Sequence, residues 1–256
     1  MTVRVVLEDP DFVIVEKPEG IATQRLPVRA RFPRPGRGKP APTLAHLVAV
    51  QFPEIKDVGG DDWGAVHRLD RETSGLVVFA RNQETYDTLR AFFSKTEVEK
   101  EYTALVEGVV KISGRIEWPI GSDPKSAKRV KVYKNIKDAR RNKAQEAVTI
   151  YVPQTSPPAP LLSKERVAAV RQTGEVFTLL RILIKTGRRH QIRAHLAAIG
   201  HPIVGDGLYG GPQAERLFLH ASRLRFRHPR GPRNSRWVEA VWVADFAAFE
   251  EPPSVP

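Results

Sequence analysis

Apolar positions change period along the 256-residue chain, and each change marks an element. Val3 to Leu7 and Phe12 to Val15 are short β-rich runs separated by the turn cluster Glu8-Asp9-Pro10-Asp11, which predicts an opening hairpin. Thr43 is placed to cap a helix running to about Gln51, with Leu44, Leu47 and Val48 on one face and Pro53 ending it. Leu76 to Ala80 is an unbroken apolar strand. Asn82 then caps a helix over 83–94, in which Tyr86, Leu89 and Phe93 fall at i, i+3 and i+7. Glu99 to Glu107 alternates as a strand, Ala147 to Val152 reads as another, and Val176 to Ile184 is rich enough in Leu and Ile for a central one. From Thr186 to Leu196 the period becomes helical, with a predicted buried stripe of Ile192, Leu196 and Ile199; Gly200 and Pro202 stop it. Arg223 to Arg227 alternates as a half-exposed strand with a basic face, and Trp237 to Val243 gives a last strand. No internal repeat of fixed period is present.

Charge adds a partner to this picture. Lys and Arg number 41 against 29 Asp and Glu, a net +12, which favours a polyanion, foremost nucleic acid, over an anionic membrane surface. No apolar run approaches 18 residues, so no transmembrane helix is expected, and the N-terminus turns acidic at Glu8, too early for a signal peptide. The absence of Cys excludes disulfides, a thiol nucleophile and Cys-based metal sites. A cytoplasmic protein fits these features.

The basic charge is concentrated. Residues 25–42 hold Arg25, Arg29, Arg31, Arg34, Arg37 and Lys39 with no acid and several Pro and Gly, which predicts an extended or mobile loop. It is either a solvated loop or a contact to nucleic-acid phosphates; six like charges repel one another unless a polyanion is present. Residues 124–143 hold nine Lys and Arg against Asp138 alone and predict a second basic hairpin or loop, with Val130, Val132 and Tyr133 as its strand. Pro153 to Pro160 reads as a loop inside one domain.

Two stretches carry candidate chemistry. His67-Arg68-Leu69-Asp70-Arg71-Glu72-Thr73-Ser74-Gly75 is a polar loop entering the Leu76–Ala80 strand, with a turn expected at Thr73-Ser74-Gly75. Asp70 between two Arg can stay ionised when partly desolvated, as a nucleophile requires; the alternative is a solvated surface turn. In the second stretch, Arg188, Arg189 and Arg193 fall in the first two turns of the predicted helix, where the dipole disfavours cations, so an anion is expected there. His190 and His195, about 140° apart on a helix, do not share a face, which favours local hydrogen bonding over metal ligation.

The string His-Arg-Leu-Asp-Arg-x-Thr-Ser-Gly at 67–75 resembles the catalytic loop of RNA pseudouridine synthases of the RluA family. Lys17-Pro18-Glu19-Gly20, Lys100-x-Tyr102, Thr186-Gly187-Arg188-x-His190-Gln191-Ile192-Arg193, His201 to Gly210 and Leu217 to Ala221 are similar to further segments of that family, from about residue 5 to 243. The resemblance implies an α+β pseudouridine synthase fold: a mixed, mostly antiparallel central sheet with flanking helices and a basic RNA-binding cleft. It implies one catalytic domain over 1–256, without the S4 domain many members carry, with the basic segments 25–42 and 124–143 supplying grip on RNA. The implied reaction isomerises uridine to pseudouridine in ribosomal or transfer RNA, by a monomer without metal or cofactor. Asp70 takes the nucleophile's place, attacking C1′ or C6. Tyr102 would stack on the uracil and assist proton removal from C5, and Arg193 would pair with Asp70. Arg68 would fill the gap left by the flipped base or hold the backbone. Arg71, Arg188, Arg189, His190, Arg31, Arg34, Lys128 and Arg129 would contact RNA. Two other classes stand beside this one: a noncatalytic RNA-binding protein on the same fold, and a metal-dependent nuclease using Asp70 with Asp61 and Asp62.

Overall fold

The computed structural model describes residues 2–24, 42–154, 176–230 and 236–243. Arg31, Arg34 and nearly all of the basic segment 25–42 lie outside the described residues, as does most of the Pro153–Pro160 loop. The described residues fall into two compact units, those within 1–101 and 221–242, and those within 102–220 with Val243. The chain passes from one unit to the other within β4 (Glu99–Glu107) and again within β10 (Leu219–Arg227).

In the first unit, β1 (Val5–Glu8) and β2 (Phe12–Lys17) form the predicted opening hairpin. β2 pairs antiparallel with β3 (Ser74–Ala80), from Phe12 opposite Ala80 to Lys17 opposite Gly75. β10 lies beside β3, and β11 (Trp237–Val241) pairs antiparallel with β10. β3 is buried along its whole length, which accounts for the unbroken apolar run from Leu76 to Ala80. The helix α1 (Leu44–Gln51) starts from a reciprocal cap between Thr43 and His46. Its buried face is Leu44, Ala45, Val48 and Ala49; Leu47 is only half-buried, one position off the predicted stripe. The helix α2 (Gln83–Ser94) has the predicted bounds, with the Asn82 side chain accepting from the Thr85 N–H at 3.0 Å. Tyr86 and Leu89 bury against Phe12, Ile14, Leu76, Val78 and Phe226 to form the core.

In the second unit the strand order is β4, β9 (Phe177–Ile184), β8 (Thr149–Pro153), β5 (Gly114–Ile116). β9 is therefore interior, as its Leu and Ile content predicted. The β8–β9 and β8–β5 pairs are antiparallel. β6 (Ile120–Asp123) and β7 (Ser126–Val132) make a separate antiparallel hairpin, followed by the short helix α3 (Ile136–Arg141). The basic stretch 124–143 is thus a hairpin strand and a helix. The helix α4 (Gln191–Ala198) is buried from Gln191 to Leu196.

α4 corrects the sequence reading at both ends. Arg188 and Arg189 precede the helix instead of occupying its first turns, because His190 is in the left-handed region at φ 50° and breaks the helical path. Ile199 caps the C-terminus half-exposed and does not belong to the buried stripe.

Candidate active site

Asp70 sits on a loop whose backbone is tied down on both sides. The Thr23 hydroxyl accepts from the Leu69 N–H and donates to the Leu69 carbonyl, each at 3.1 Å. The Gly20 N–H donates to the Arg71 carbonyl at 2.9 Å, and Arg71 Nε returns a bond to the Gly20 carbonyl at 2.6 Å. The Asp70 carbonyl accepts from the Thr73 N–H at 3.1 Å, so the turn spans 70–73, and Ser74 and Gly75 already belong to β3. Leu69 and Thr73 are buried, Asp70 is half-buried, and Arg68 and Arg71 are exposed.

Lys17 completes this frame. Its side chain is fully buried, and its ammonium donates to the carbonyls of Pro18, Ile21 and Arg71 at 2.8, 2.9 and 3.0 Å. A lysine has three donors, and here each meets an acceptor, which is what makes a buried charge tolerable. At the other end of the loop, Gly75 has φ +117°, and a Cβ on it would lie 2.4 Å from the Ala221 carbonyl oxygen. Only glycine lets β3 and β10 approach this closely there.

His67 is stacked on Phe93, ring centroids 4.4 Å apart, and its Nε2 accepts from the Val78 N–H at 3.2 Å. Burial, then the positive charges of Lys100 and Arg90, push its pKa down to about 3. With Nε2 accepting, the neutral ring carries its proton on Nδ1.

Arg193 lies in the first turn of α4 and is buried there against Asp206. Nε donates to Oδ2 at 2.7 Å and Nη2 to Oδ1 at 2.8 Å, with 5% and 0% of the two side chains exposed. This is the anion that a cation in a helix's first turn calls for. The Asp206 carboxylate also accepts from the Leu208 and Tyr209 N–H groups. The loop depends on Gly205, at φ +80°, where a Cβ would meet the Arg216 carbonyl oxygen at 1.7 Å. Gln191 fixes the approach to the helix: its Oε1 accepts from the Thr186 hydroxyl and the Arg188 N–H, and its Nε2 donates to the Val148 carbonyl.

Both histidines of this stretch are hydrogen-bonded, but to partners distant in sequence and not to local ones. His190 Nδ1 lies 3.1 Å from the Tyr209 hydroxyl. His195 bridges the Thr149 hydroxyl and the Trp118 carbonyl, and burial lowers its pKa. Tyr102, on β4, is buried. Arg188 and Arg189 are exposed, donating to the carbonyls of Glu146 and Ala127 at 3.0 Å each. Lys128 is exposed, and Arg129 pairs with Asp123 at 2.5 Å. Asp62 accepts from the Tyr86 hydroxyl. Among the described residues, the acids and histidines close enough to share an ion are Asp9, Asp11 and His228, a group without Asp61, Asp62 or Asp70.

The sequence model of the family described as RNA pseudouridylate synthase matches residues 11–198, which takes in both the Asp70 loop and Arg193. The chain belongs to this family. It is 34% identical to an RNA pseudouridine synthase of Aquifex aeolicus over 240 residues, covering 89% of this chain and 66% of that one, just under two thirds of its length. The tRNA pseudouridine synthase C of Vibrio vulnificus is 30% identical and is matched almost end to end, 98% of this chain and 97% of that one. The ribosomal large subunit pseudouridine synthase D of Haemophilus ducreyi is 29% identical, over 97% of this chain and 70% of that one. The solved structure of human RNA pseudouridylate synthase domain containing 1 has the same fold, with TM-score 0.66 at 22% identity, covering 95% of this chain and 84% of that one. The fold is thus the pseudouridine synthase fold, α+β with a mostly antiparallel sheet.

Within this family frame, four residues that hold the two candidate segments had no assigned role in the sequence reading: Lys17, Thr23, Asp206 and Tyr209. Asp206 left a usable signal. A first-turn arginine with no acid nearby on its own helix needs one from elsewhere, and Gly205-Asp206-Gly207 offers a carboxylate in a glycine turn. Thr23 left none, because a lone threonine after a turn carries no pattern.

Proposed function

We propose that this chain is an RNA pseudouridine synthase acting on uridines of structured ribosomal or transfer RNA. The family match across 11–198 carries the reading, because it includes the loop on which Asp70 is held by Thr23, Gly20 and Lys17. Pseudouridine differs from uridine only in the atom joining base to sugar. The N1–C1′ bond breaks, the uracil turns, a C5–C1′ bond forms, C5 loses its proton and N1 gains one. The sum is an isomerisation with no change of oxidation state.

Each assigned residue meets one need of this sequence. Asp70 is the nucleophile, at C1′ or C6. Tyr102 stacks on the uracil and assists removal of the C5 proton. Arg193, already held by Asp206, keeps Asp70 ionised and oriented. The target base must leave its stack, at a cost of about a few kcal/mol, and Arg68 fills the gap or holds the backbone. Arg71, Arg188, Arg189, His190, Lys128, Arg129, Arg31 and Arg34 supply contacts to RNA. We place the enzyme in the cytoplasm as a monomer whose two units form one catalytic domain. Among the described residues no helix is long and apolar enough to cross a membrane.

The test uses the full chain with total RNA labelled with tritium at uracil C5, without added divalent metal. Turnover releases tritium to water. Release by the parent and none by Asp70→Asn is the expected result. No release from any RNA pool, with RNA binding intact, returns the chain to a noncatalytic binding protein.

A further inference from the structure

Tyr209 touches three parts of the second unit at once. Its hydroxyl accepts from the Val130 N–H at 2.9 Å, in the middle of β7. Its ring lies 5.4 Å from the Arg193 guanidinium carbon, and its own N–H is capped by Asp206, the carboxylate that holds Arg193. His190, the left-handed residue that starts α4, stands edge-on to the same ring with Nδ1 on the hydroxyl. Val130 is flanked by Arg129 and Lys131 on the most basic hairpin of the unit. A second tie reaches that hairpin from the same side, Arg189 to the Ala127 carbonyl.

We propose that Tyr209 is a positioning residue that couples the basic hairpin β6–β7 to Arg193, so that docking of the hairpin on RNA sets the guanidinium for reaction. The inference rests on the assignment of Arg193 to the reaction made above. Its physical basis is that the phenol is rigid. A shift of β7 moves the hydroxyl, the ring turns with it, and the ring packs on the guanidinium. The bidentate Asp206 contact makes the planar guanidinium and its carboxylate one unit, and the ring borders that unit, so a turn of the ring displaces the pair together. By reciprocity, a reactive Arg193 also favours the docked hairpin. RNA held only elsewhere would then bind and react slowly, which makes the hairpin a check on substrate shape.

A double-mutant cycle tests this with the full chain. The four proteins are the parent, Tyr209→Phe, Lys128→Gln with Lys131→Gln, and the combination. RNA affinity and the single-turnover rate at saturating RNA are measured separately. Tyr209→Phe keeps the ring but loses the hydroxyl, and should lower the saturated rate about 5–20-fold, within the usual range for coupling energies, with affinity changed less than about twofold. The hairpin variant should lower affinity and also the saturated rate, and the rate loss should vanish in the Tyr209→Phe background. Rate losses that multiply, or a Tyr209→Phe protein altered only in melting temperature, overturn the coupling. The Arg193 Nε–H resonance gives a readout independent of Tyr209→Phe folding. It should shift when the parent binds RNA, and less so in the hairpin variant at equal saturation; identical shifts overturn the proposal. Arg193→Met separates the two readings. If it keeps the parent rate, the assignment of Arg193 fails; if it is inactive while the cycle multiplies, only the coupling through Tyr209 fails.

Discussion

Arg193 and Asp206 form a buried fork-to-fork pair, Nε to Oδ2 at 2.7 Å and Nη2 to Oδ1 at 2.8 Å, thirteen positions apart in sequence. Removing one partner of a buried pair strands the other charge and costs about 3–5 kcal/mol. Asp206→Asn should therefore destabilise the protein by about that much, and Arg193→Met likewise. The double variant should lose less than the sum of the two, because neither charge then remains. Urea titrations of the four proteins give the comparison, and additive losses would disprove the pairing as an energetic unit.

Lys17 offers a different kind of test, since its ammonium donates to three backbone carbonyls. Lys17→Met keeps the buried stem but removes all three hydrogen bonds, and each acceptor left unsatisfied costs roughly 1–3 kcal/mol. The Arg71 carbonyl keeps its bond from Gly20, so the Pro18 and Ile21 carbonyls carry most of the loss. We expect lower stability and faster amide exchange at Leu69 to Thr73, whose frame Lys17 completes. Exchange in that loop matching the parent would mean that Thr23 and Gly20 hold it unaided.

The elements built on one periodic stripe were legible in the sequence. α2 has its predicted bounds because Asn82 caps it and Tyr86 and Leu89 define its buried side. β9 is interior because its apolar run covers nearly its whole length. α4 was not legible at its start, because the turn 186–190 is set by the Gln191 side chain and a left-handed His190, and neither leaves an apolar pattern. The Asp70 loop could be located from its letters, but the bonds holding it could not. Thr23 lies 46 positions from Leu69 and Lys17 lies 54 from Arg71, distances at which sequence spacing says nothing of contact.

Asp70→Asn is nearly isosteric, and an amide is a poor nucleophile. If Asp70 attacks the nucleoside, the variant should bind RNA and release no tritium from C5. A purified variant with more than a small fraction of the parent rate would move the nucleophile elsewhere.

The basic hairpin should reveal itself through salt. Lys128 and Lys131 are exposed on β7, while Arg129 is held by Asp123, whose own pKa is lowered by the Lys125 N–H and then by Arg129. Neutralising Lys128 and Lys131 should flatten the slope of log affinity against log salt by about 0.7 per lost phosphate contact on single strands. Neutralising Arg129, already paired, should change it less. Equal changes at all three positions would show that the Asp123 pair opens on RNA.

His67 ties stability to pH. In the folded protein its pKa lies at about 3, lowered by burial, Lys100 and Arg90, whereas in the unfolded chain it returns to its ordinary 6.5. The folded-state value is depressed, so the neutral ring's contribution is fully present above pH 6.5. As pH falls from 6.5 towards 3 the unfolded chain takes up a proton that the folded one refuses, and stability drops by at most about 1.4 kcal/mol per pH unit from this group. His67→Gln removes the titration, and the Gln amide oxygen can still accept from the Val78 N–H. The variant loses some packing on Phe93 at neutral pH, so it should start lower. Its stability should then fall less steeply than the parent's between pH 6.5 and 4, and the two curves should converge. Carboxylates titrating in the same window act on both proteins and cancel in the difference. Curves that stay parallel down to pH 4 would mean that the folded ring accepts the proton, and that Lys100 and Arg90 do not hold it neutral.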